Sequence, residues 1–257
     1  METIPVGVIA SLTIGLSMGI GAIPILFANK FFFEWSDMLL GLGAGMMLAE
    51  TGFSLIVPGL EAAGNLGHSN HNFLAIFAVI MIWGAILLGI VRRYFQEEHF
   101  YQSAERVTNR NFQQNLLFIL AIFLHNFPEG LAVGIGFEGI NLNDASVLFT
   151  GISLEHMPEG LIIAQAILSL GYSKVIALGF SFLTGLIEPM GGIIGAVIIS
   201  YTQLLLPWGM ALAAGAIIFI VIGKIIPYSI DKASARVASF GLTIGFVVMI
   251  LFDTALS

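Results

Sequence analysis

The sequence predicts an all-α integral membrane protein with eight transmembrane helices, and three observations support this fold class. Of its 257 residues, 58% are hydrophobic and only 10% are charged, whereas soluble domains carry about 25% charge. The mean hydropathy is +0.98. A soluble chain of this length has too much surface to bury so many apolar side chains. The composition therefore excludes a soluble enzyme and a disordered chain. The net charge of −7, without a basic run, excludes a nucleic-acid-binding protein.

A membrane-spanning helix needs about 20 predominantly apolar residues, and eight segments meet this requirement. The predicted spans 1 to 8 are residues 4–27, 38–58, 73–91, 116–137, 145–170, 175–200, 204–223 and 237–252. Spans 1, 3, 7 and 8 contain no charged residue, whereas span 2 contains Glu50 and spans 4 to 6 contain further ionisable groups.

All nine Lys and Arg residues lie in the connections that follow the odd-numbered spans. Because Lys and Arg are retained on the cytoplasmic side, these connections are predicted to be cytoplasmic and both termini to face outward. The one long connection, residues 92–114, is polar and is expected to be mobile or partly helical. We therefore expect a single membrane domain over 1–257, located in a cell membrane, which in a bacterium is the inner membrane.

Spans 4 and 5 each contain a polar motif that ends in Pro-Glu-Gly. The two motifs are His125-Asn126-Phe127-Pro128-Glu129-Gly130 and Glu155-His156-Met157-Pro158-Glu159-Gly160. Ionisable groups at membrane depth cost about 2.5–3.5 kcal/mol each, which indicates a function. Residues four apart share a helix face, so His125 pairs with Glu129, and Glu155 pairs with Glu159. Asn126 and His156 are displaced by about 100° and are expected to face a neighbouring position.

Glycine and proline accompany these ligands in all three central spans. The prolines free backbone carbonyls, which are tolerated at membrane depth where they line a cavity. Gly130 and Gly160 are expected to permit close helix approach. Span 6 adds a third polar motif, Glu188-Pro189-Met190-Gly191-Gly192. Together the three spans offer the imidazole, amide and carboxylate donors that suit a divalent transition metal such as zinc, iron or manganese.

The four glutamates of spans 4 to 6 would carry four negative charges, and no Lys or Arg lies within these spans. Buried carboxylates must be protonated, paired or bound to metal. Two divalent cations, or one cation with two protons, would neutralise them. We therefore expect metal binding to release protons.

Other polar residues have ordinary explanations. Glu50 has no partner on its own helix, and a packing hydrogen bond or a proton relay is its expected role. His68 and His71, in an outer connection, could capture metal but are expected to be solvated. The same holds for Glu97, Glu98 and His99 in the cytoplasmic connection.

At the span 4 motif, and over nearly its whole length, the chain resembles the ZIP (Zrt/Irt-like) family of divalent metal transporters, particularly its bacterial GufA-type branch. The resemblance implies inverted repeats of spans 1–3 and 6–8 around spans 4 and 5, a 3+2+3 bundle. Spans 2 and 7 show a weak sequence similarity that agrees with this repeat: Ala44-Gly45 precedes Pro58, and Ala214-Gly215 precedes Pro227. It also implies a binuclear metal site. The main position would use His125, Glu129, Glu155, Glu159 and Glu188, and an adjacent one Asn126 and His156 with shared glutamates.

Two positions depart from the family pattern. The span 5 motif begins Glu155-His156, where many members have His or Gln followed by Asn, Asp or Glu. Lys224 stands where many members have an acidic residue. Metal preference therefore does not transfer from the family.

The expected function is uptake of zinc, or of iron(II), manganese(II) or cadmium, toward the cytoplasm, without catalysis or a prosthetic group. The expected partners are divalent metal ions and the lipid bilayer, with no nucleic acid. A homodimer is also compatible with the sequence. One alternative is an intramembrane metal-dependent hydrolase, although the sequence has no His-Glu-x-x-His motif. Another is a proton-coupled transporter of an organic solute, against which the His125–Glu129 pair argues.

Overall fold

The computed structural model describes residues 4–27, 36–65, 71–95, 110–140, 142–226 and 235–256, and all secondary structure within these ranges is helical. The α-helices are α1 Ile4–Ala22, α2 Ser36–Glu50, α3 Val57–Asn65, α4 His71–Phe95, α5 Arg110–Gly139, α6 Leu142–Ser169, α7 Lys174–Gly185, α8 Glu188–Tyr201, α9 Leu206–Ile220 and α10 Ala235–Leu256. Two 3₁₀ segments, Ile23–Leu26 and Gln203–Leu205, and two π-helical segments, Thr51–Ile56 and Val221–Ile225, adjoin them.

Five helical stretches of the described residues are long and apolar enough to cross a membrane. They are Val6–Leu26, Met38–Asn65, Lys174–Tyr201, Gln203–Gly223 and Ala235–Ala255. These stretches correspond to predicted spans 1, 2, 6, 7 and 8, and the shorter apolar helix Leu74–Ile90 corresponds to span 3. The helices of spans 4 and 5, α5 and α6, have 30 and 28 residues. They are long enough to cross a bilayer, but their ionisable residues make them less apolar.

Apolar side chains cover the outside of the molecule, whereas polar side chains lie inside it. On α4, for example, Leu74, Ile82, Trp83 and Ile90 are all more than half exposed. In contrast, the ionisable residues of the α5 and α6 motifs are buried. This distribution suits a protein whose outer surface contacts lipid.

Helices α5 and α6 lie at the centre of the packing. Helix α6 contacts α1, α2 and α7, and helix α5 contacts α8, α1 and α9. A methyl group at Gly130 would collide with the backbone carbonyl of Glu188, and one at Gly160 with that of Met18. The prediction that these two glycines permit close helix approach is therefore confirmed.

Span 6, predicted as one continuous helix, is broken into α7 and α8 between Gly185 and Glu188. Pro189 lies at the start of α8. Its ring has no N–H and clashes with the carbonyl four residues earlier, at Gly185, which favours a break here. Pro128 and Pro158, in contrast, lie within continuous helices. The break places Glu188 at the first position of a new helix, in the interior of the protein.

The two helices that contain the faint sequence repeat both widen into a π-helical segment, Thr51–Ile56 and Val221–Ile225, shortly before Pro58 and Pro227. Single π turns relieve interruptions of the α-helical hydrogen-bond pattern, such as those that proline imposes. At the long connection, α4 extends to Phe95 and α5 begins at Arg110, so both ends of the predicted 92–114 loop are helical.

Candidate metal centre

The structure buries all seven predicted ligands, which come from α5, α6 and α8, and short distances between side-chain atoms join five of them: His125, Glu129, Glu155, His156 and Glu188. None of the seven is more than 3% exposed. The seven residues are His125, Asn126, Glu129, Glu155, His156, Glu159 and Glu188. We refer to them as the ligand cluster.

The carboxylate of Glu129 contacts both histidines of the ligand cluster. Its Oε2 atom lies 3.3 Å from Nδ1 of His125, one turn away on α5, and 3.1 Å from Nε2 of His156 on α6. A single carboxylate thus faces one imidazole from each motif.

His156 also links α6 to two further helices. Its Nδ1 atom lies 3.3 Å from the backbone carbonyl of Ile14 on α1 and 3.4 Å from Oε1 of Glu188 on α8. A proton on Nδ1 would donate to that carbonyl and leave the Nε2 lone pair free. Metal-binding histidines are commonly oriented by such a hydrogen bond from the second ring nitrogen. The offset of His156 from the Glu155–Glu159 face therefore directs it toward α1, α5 and α8.

The break before Glu188 explains the position of Asn126. Its Nδ2 atom donates a hydrogen bond to the backbone carbonyl of Thr184 at 3.0 Å and lies 3.5 Å from Sδ of Met18. In an unbroken helix the Thr184 carbonyl would accept from the N–H of residue 188. Asn126 satisfies this carbonyl, and its own Oδ1 remains without a hydrogen-bond partner.

Many polar atoms of the ligand cluster are buried without a hydrogen-bond partner among the described residues. They are Nδ1 and Nε2 of His125, Oδ1 of Asn126, Oε1 of Glu129, Oε2 of Glu155, Oε2 of Glu159 and both carboxylate oxygens of Glu188. Two of these atoms, Nδ1 of His125 and Oε1 of Glu188, make only the ion-pair contacts described above. Buried polar atoms normally have partners, so such a group needs an explanation. Glu129, Glu155 and His156 each offer a ligand atom within 4.8 Å of the others. This nitrogen and oxygen donor set fits a divalent transition metal.

Glu50 is a residue that sequence reasoning did not assign to the site. It ends α2, is buried, and its carboxyl is in hydrogen-bonding contact with Glu155. The only signal in the sequence was a single acidic residue in an apolar span. Its contact with α6 depends on how the helices pack, and no sequence spacing indicates it.

The remaining sequence candidates cannot be placed. His68, Glu97, Glu98 and His99 lie outside the described residues, as does the side chain of His71. The side chain of Lys224 is also outside the described part of the chain.

Fold and site together define a polytopic helical membrane protein with a buried cluster of histidine, asparagine and glutamate side chains, the residue types that bind transition metals. A family model described as the ZIP zinc transporter matches residues 96–253. The chain belongs to the ZIP zinc transporter family and is therefore a membrane transporter rather than an enzyme.

Similarity to known transporters extends over nearly the whole chain. The zinc transporter GufA of Myxococcus xanthus is 33% identical over 250 residues, which cover 97% of this chain and 98% of the relative. The zinc transporter ZIPB of Bordetella bronchiseptica is 35% identical over 239 residues, covering 92% of this chain and 77% of the relative. Human zinc transporter ZIP11 is 38% identical over 146 residues, covering 54% of this chain and 43% of the relative.

Proposed function

We propose that this protein carries zinc, or a similar divalent transition-metal ion, across a cell membrane toward the cytoplasm. The observation that carries the proposal is the ligand cluster, whose buried nitrogen and oxygen atoms lack partners in a bundle with an apolar exterior. Helices α1, α2, α6 and α8 contain no Lys or Arg that could neutralise its carboxylates. The names of the relatives, which describe zinc transporters, agree with this cargo.

The proposed site is binuclear. The main position uses His125, Glu129, Glu155, Glu159 and Glu188. The adjacent position uses Asn126 and His156 and shares glutamates with the first. The contact of Glu129 with both histidines supports its role as a bridge. Asn126 would contribute only Oδ1, because its amide nitrogen is engaged by the Thr184 carbonyl.

The proposed architecture is a single domain of eight transmembrane helices in a 3+2+3 inverted-repeat arrangement. The paired π-helical segments before Pro58 and Pro227 support the repeat. The alternation of the basic residues supports cytoplasmic odd-numbered connections and outward termini. In a bacterium this membrane would be the inner one, and a homodimer is compatible with this architecture.

Transport of an organic solute driven by protons is the competing function. The cavity beside Glu50 has a volume of about 10 Å³, room for roughly one water molecule. Two imidazoles converge on Glu129, which lines this cavity. Both features favour a single ion over an organic molecule.

Uptake of radioactive metal into proteoliposomes, with zinc, iron(II), manganese(II) and cadmium compared, tests the proposal. We expect time-dependent accumulation of at least zinc without any added organic substrate. Liposomes containing the His125→Ala, Glu129→Ala double variant are the control. Metal accumulation equal in both preparations would refute the proposal.

A further inference from the structure

Glu50 provides a third buried carboxyl group beside two glutamates of the ligand cluster. Glu155 is in hydrogen-bonding contact with Glu50 on one side and with Glu129 on the other. The three carboxyl groups therefore form a continuous row that joins α2, α6 and α5. Glu50 is 4% exposed.

The same three residues line one small cavity, which we call the carboxylate cavity. The rest of its wall is apolar except for Thr51, whose hydroxyl donates to the Met47 carbonyl. The Glu50 carboxyl also contacts the backbone of Ile152, but its Oε1 atom has no hydrogen-bond partner. Glu50 thus lines a space of the size of one ion and carries one carboxylate oxygen without a hydrogen-bond partner.

Gly151 keeps room for the Glu50 side chain. A methyl group at this position would lie 2.8 Å from Oε1 of Glu50 and would collide with Cε of Met249. Gly151 is one helical turn before Glu155, so both residues face α2. The α6 backbone is therefore shaped to accept the Glu50 carboxyl group.

The carboxylate cavity lies toward one end of the molecule. Pro58, Asn65, Gly139 and Asp144 line a single larger cavity, so the ends of α3 and α5 and the start of α6 meet there. At 1.5 Å per residue, Glu129 is about 6 Å nearer this end than His125, which precedes it by four residues. The same offset separates Glu155 from Glu159 on α6. By the proposed topology this end faces outward.

We propose that Glu50, Glu129 and Glu155 form an all-oxygen position for a divalent cation at the outer edge of the ligand cluster. This inference rests on the proposed function. An ion from outside binds these carboxylates first and then moves to the positions that contain imidazole. Because an all-carboxylate position suits harder ions such as Mn²⁺, removing one carboxylate should affect Mn²⁺ more than Zn²⁺.

Titration of the purified protein with Mn²⁺, followed by the electron paramagnetic resonance signal of the free ion, tests this position. Loss of a residue that only orients a ligand already lowers metal affinity by about 10–100-fold, so Glu50→Gln, which removes a direct carboxylate ligand in this proposal, should weaken Mn²⁺ binding at least about tenfold. Zn²⁺ affinity, measured by calorimetry, should fall less. Glu61→Gln, which removes an exposed carboxylate from α3, is the charge-matched control and should change neither affinity.

Glu50→Asp keeps the charge but withdraws it by one methylene, and it provides a second variant if Glu50→Gln does not fold. Its Mn²⁺ affinity should fall less than that of Glu50→Gln but more than that of the control. Unchanged Mn²⁺ affinity in the Glu50 variants, or equal losses for Mn²⁺ and Zn²⁺, would overturn the position. If the unmodified protein binds neither metal, the proposed function itself fails.

Discussion

Glu129 is the residue on which the proposed site depends most, because its carboxylate faces His125 and His156 together. We predict that Glu129→Ala lowers zinc uptake at least about 100-fold, since two metal positions lose a shared ligand. No Lys or Arg pairs with Glu129, and its two histidine neighbours can be neutral, so removing the carboxylate leaves no uncompensated buried charge and should not destabilise the metal-free protein. Uptake assays and thermal unfolding in chelator measure the two effects. Uptake close to the unmodified level, at normal membrane abundance, would contradict the bridging role.

Glu159→Ala should also abolish uptake while preserving the fold. Glu159 occupies the equivalent place in the second motif, is buried, and has an unpartnered Oε2 atom. The same two measurements apply. A folded Glu159 variant with normal zinc uptake would remove this residue from the main metal position.

His156 is predicted to set metal preference more than the capacity for transport. Its imidazole belongs to the adjacent position, and nitrogen donors favour zinc over manganese. We expect His156→Ala to lower the ratio of zinc to manganese uptake by about tenfold, whereas His125→Ala abolishes the uptake of both. Competition between the two ions in proteoliposomes measures this ratio. Equal damage from the two substitutions would show that the two-position arrangement is wrong.

At the scale of helices, glycine contacts hold the ligand-bearing segments at the necessary distance. Gly130 follows Glu129 on α5, and a methyl group there would collide with the Glu188 carbonyl. We predict that Gly130→Ala separates α5 from α8, moves Glu188, and destabilises the protein by about 1–3 kcal/mol, as overpacking typically does.

Gly179→Ala on α7 is the matched control, because no atom lies within 4 Å of a methyl group at that position. The unfolding temperature and the zinc affinity should both decrease in Gly130→Ala, and neither should decrease in Gly179→Ala. Equal stability of the two variants would show that the close approach of α5 and α8 is not required.

At the scale of the whole molecule, the orientation in the membrane is testable because the sequence contains no cysteine. We predict that Asn70→Cys reacts with a membrane-impermeant maleimide in intact cells, since the connection after span 2 should face outward. Ser103→Cys, in the cytoplasmic connection, should react only after permeabilisation. The unmodified protein provides an unlabelled background. The opposite pattern would invert the proposed direction of transport.

The sequence by itself determined that this is a membrane protein of helical fold class, and it supplied the candidate metal ligands. Hydropathy is a local property, so apolar segments can be recognised without knowledge of their neighbours. The i, i+4 rule is equally local, and it places His125 with Glu129 on one helix face before any packing is known.

Only the tertiary structure decided how these faces meet. It placed Glu129 between two histidines, assigned the amide of Asn126 to the Thr184 carbonyl, and brought Glu50 to Glu155. These contacts join residues from separate helices, and no spacing within one helix specifies them. The physical reason is that the approach of two helices depends on glycine contacts and helix breaks along their whole length, as between α5 and α8.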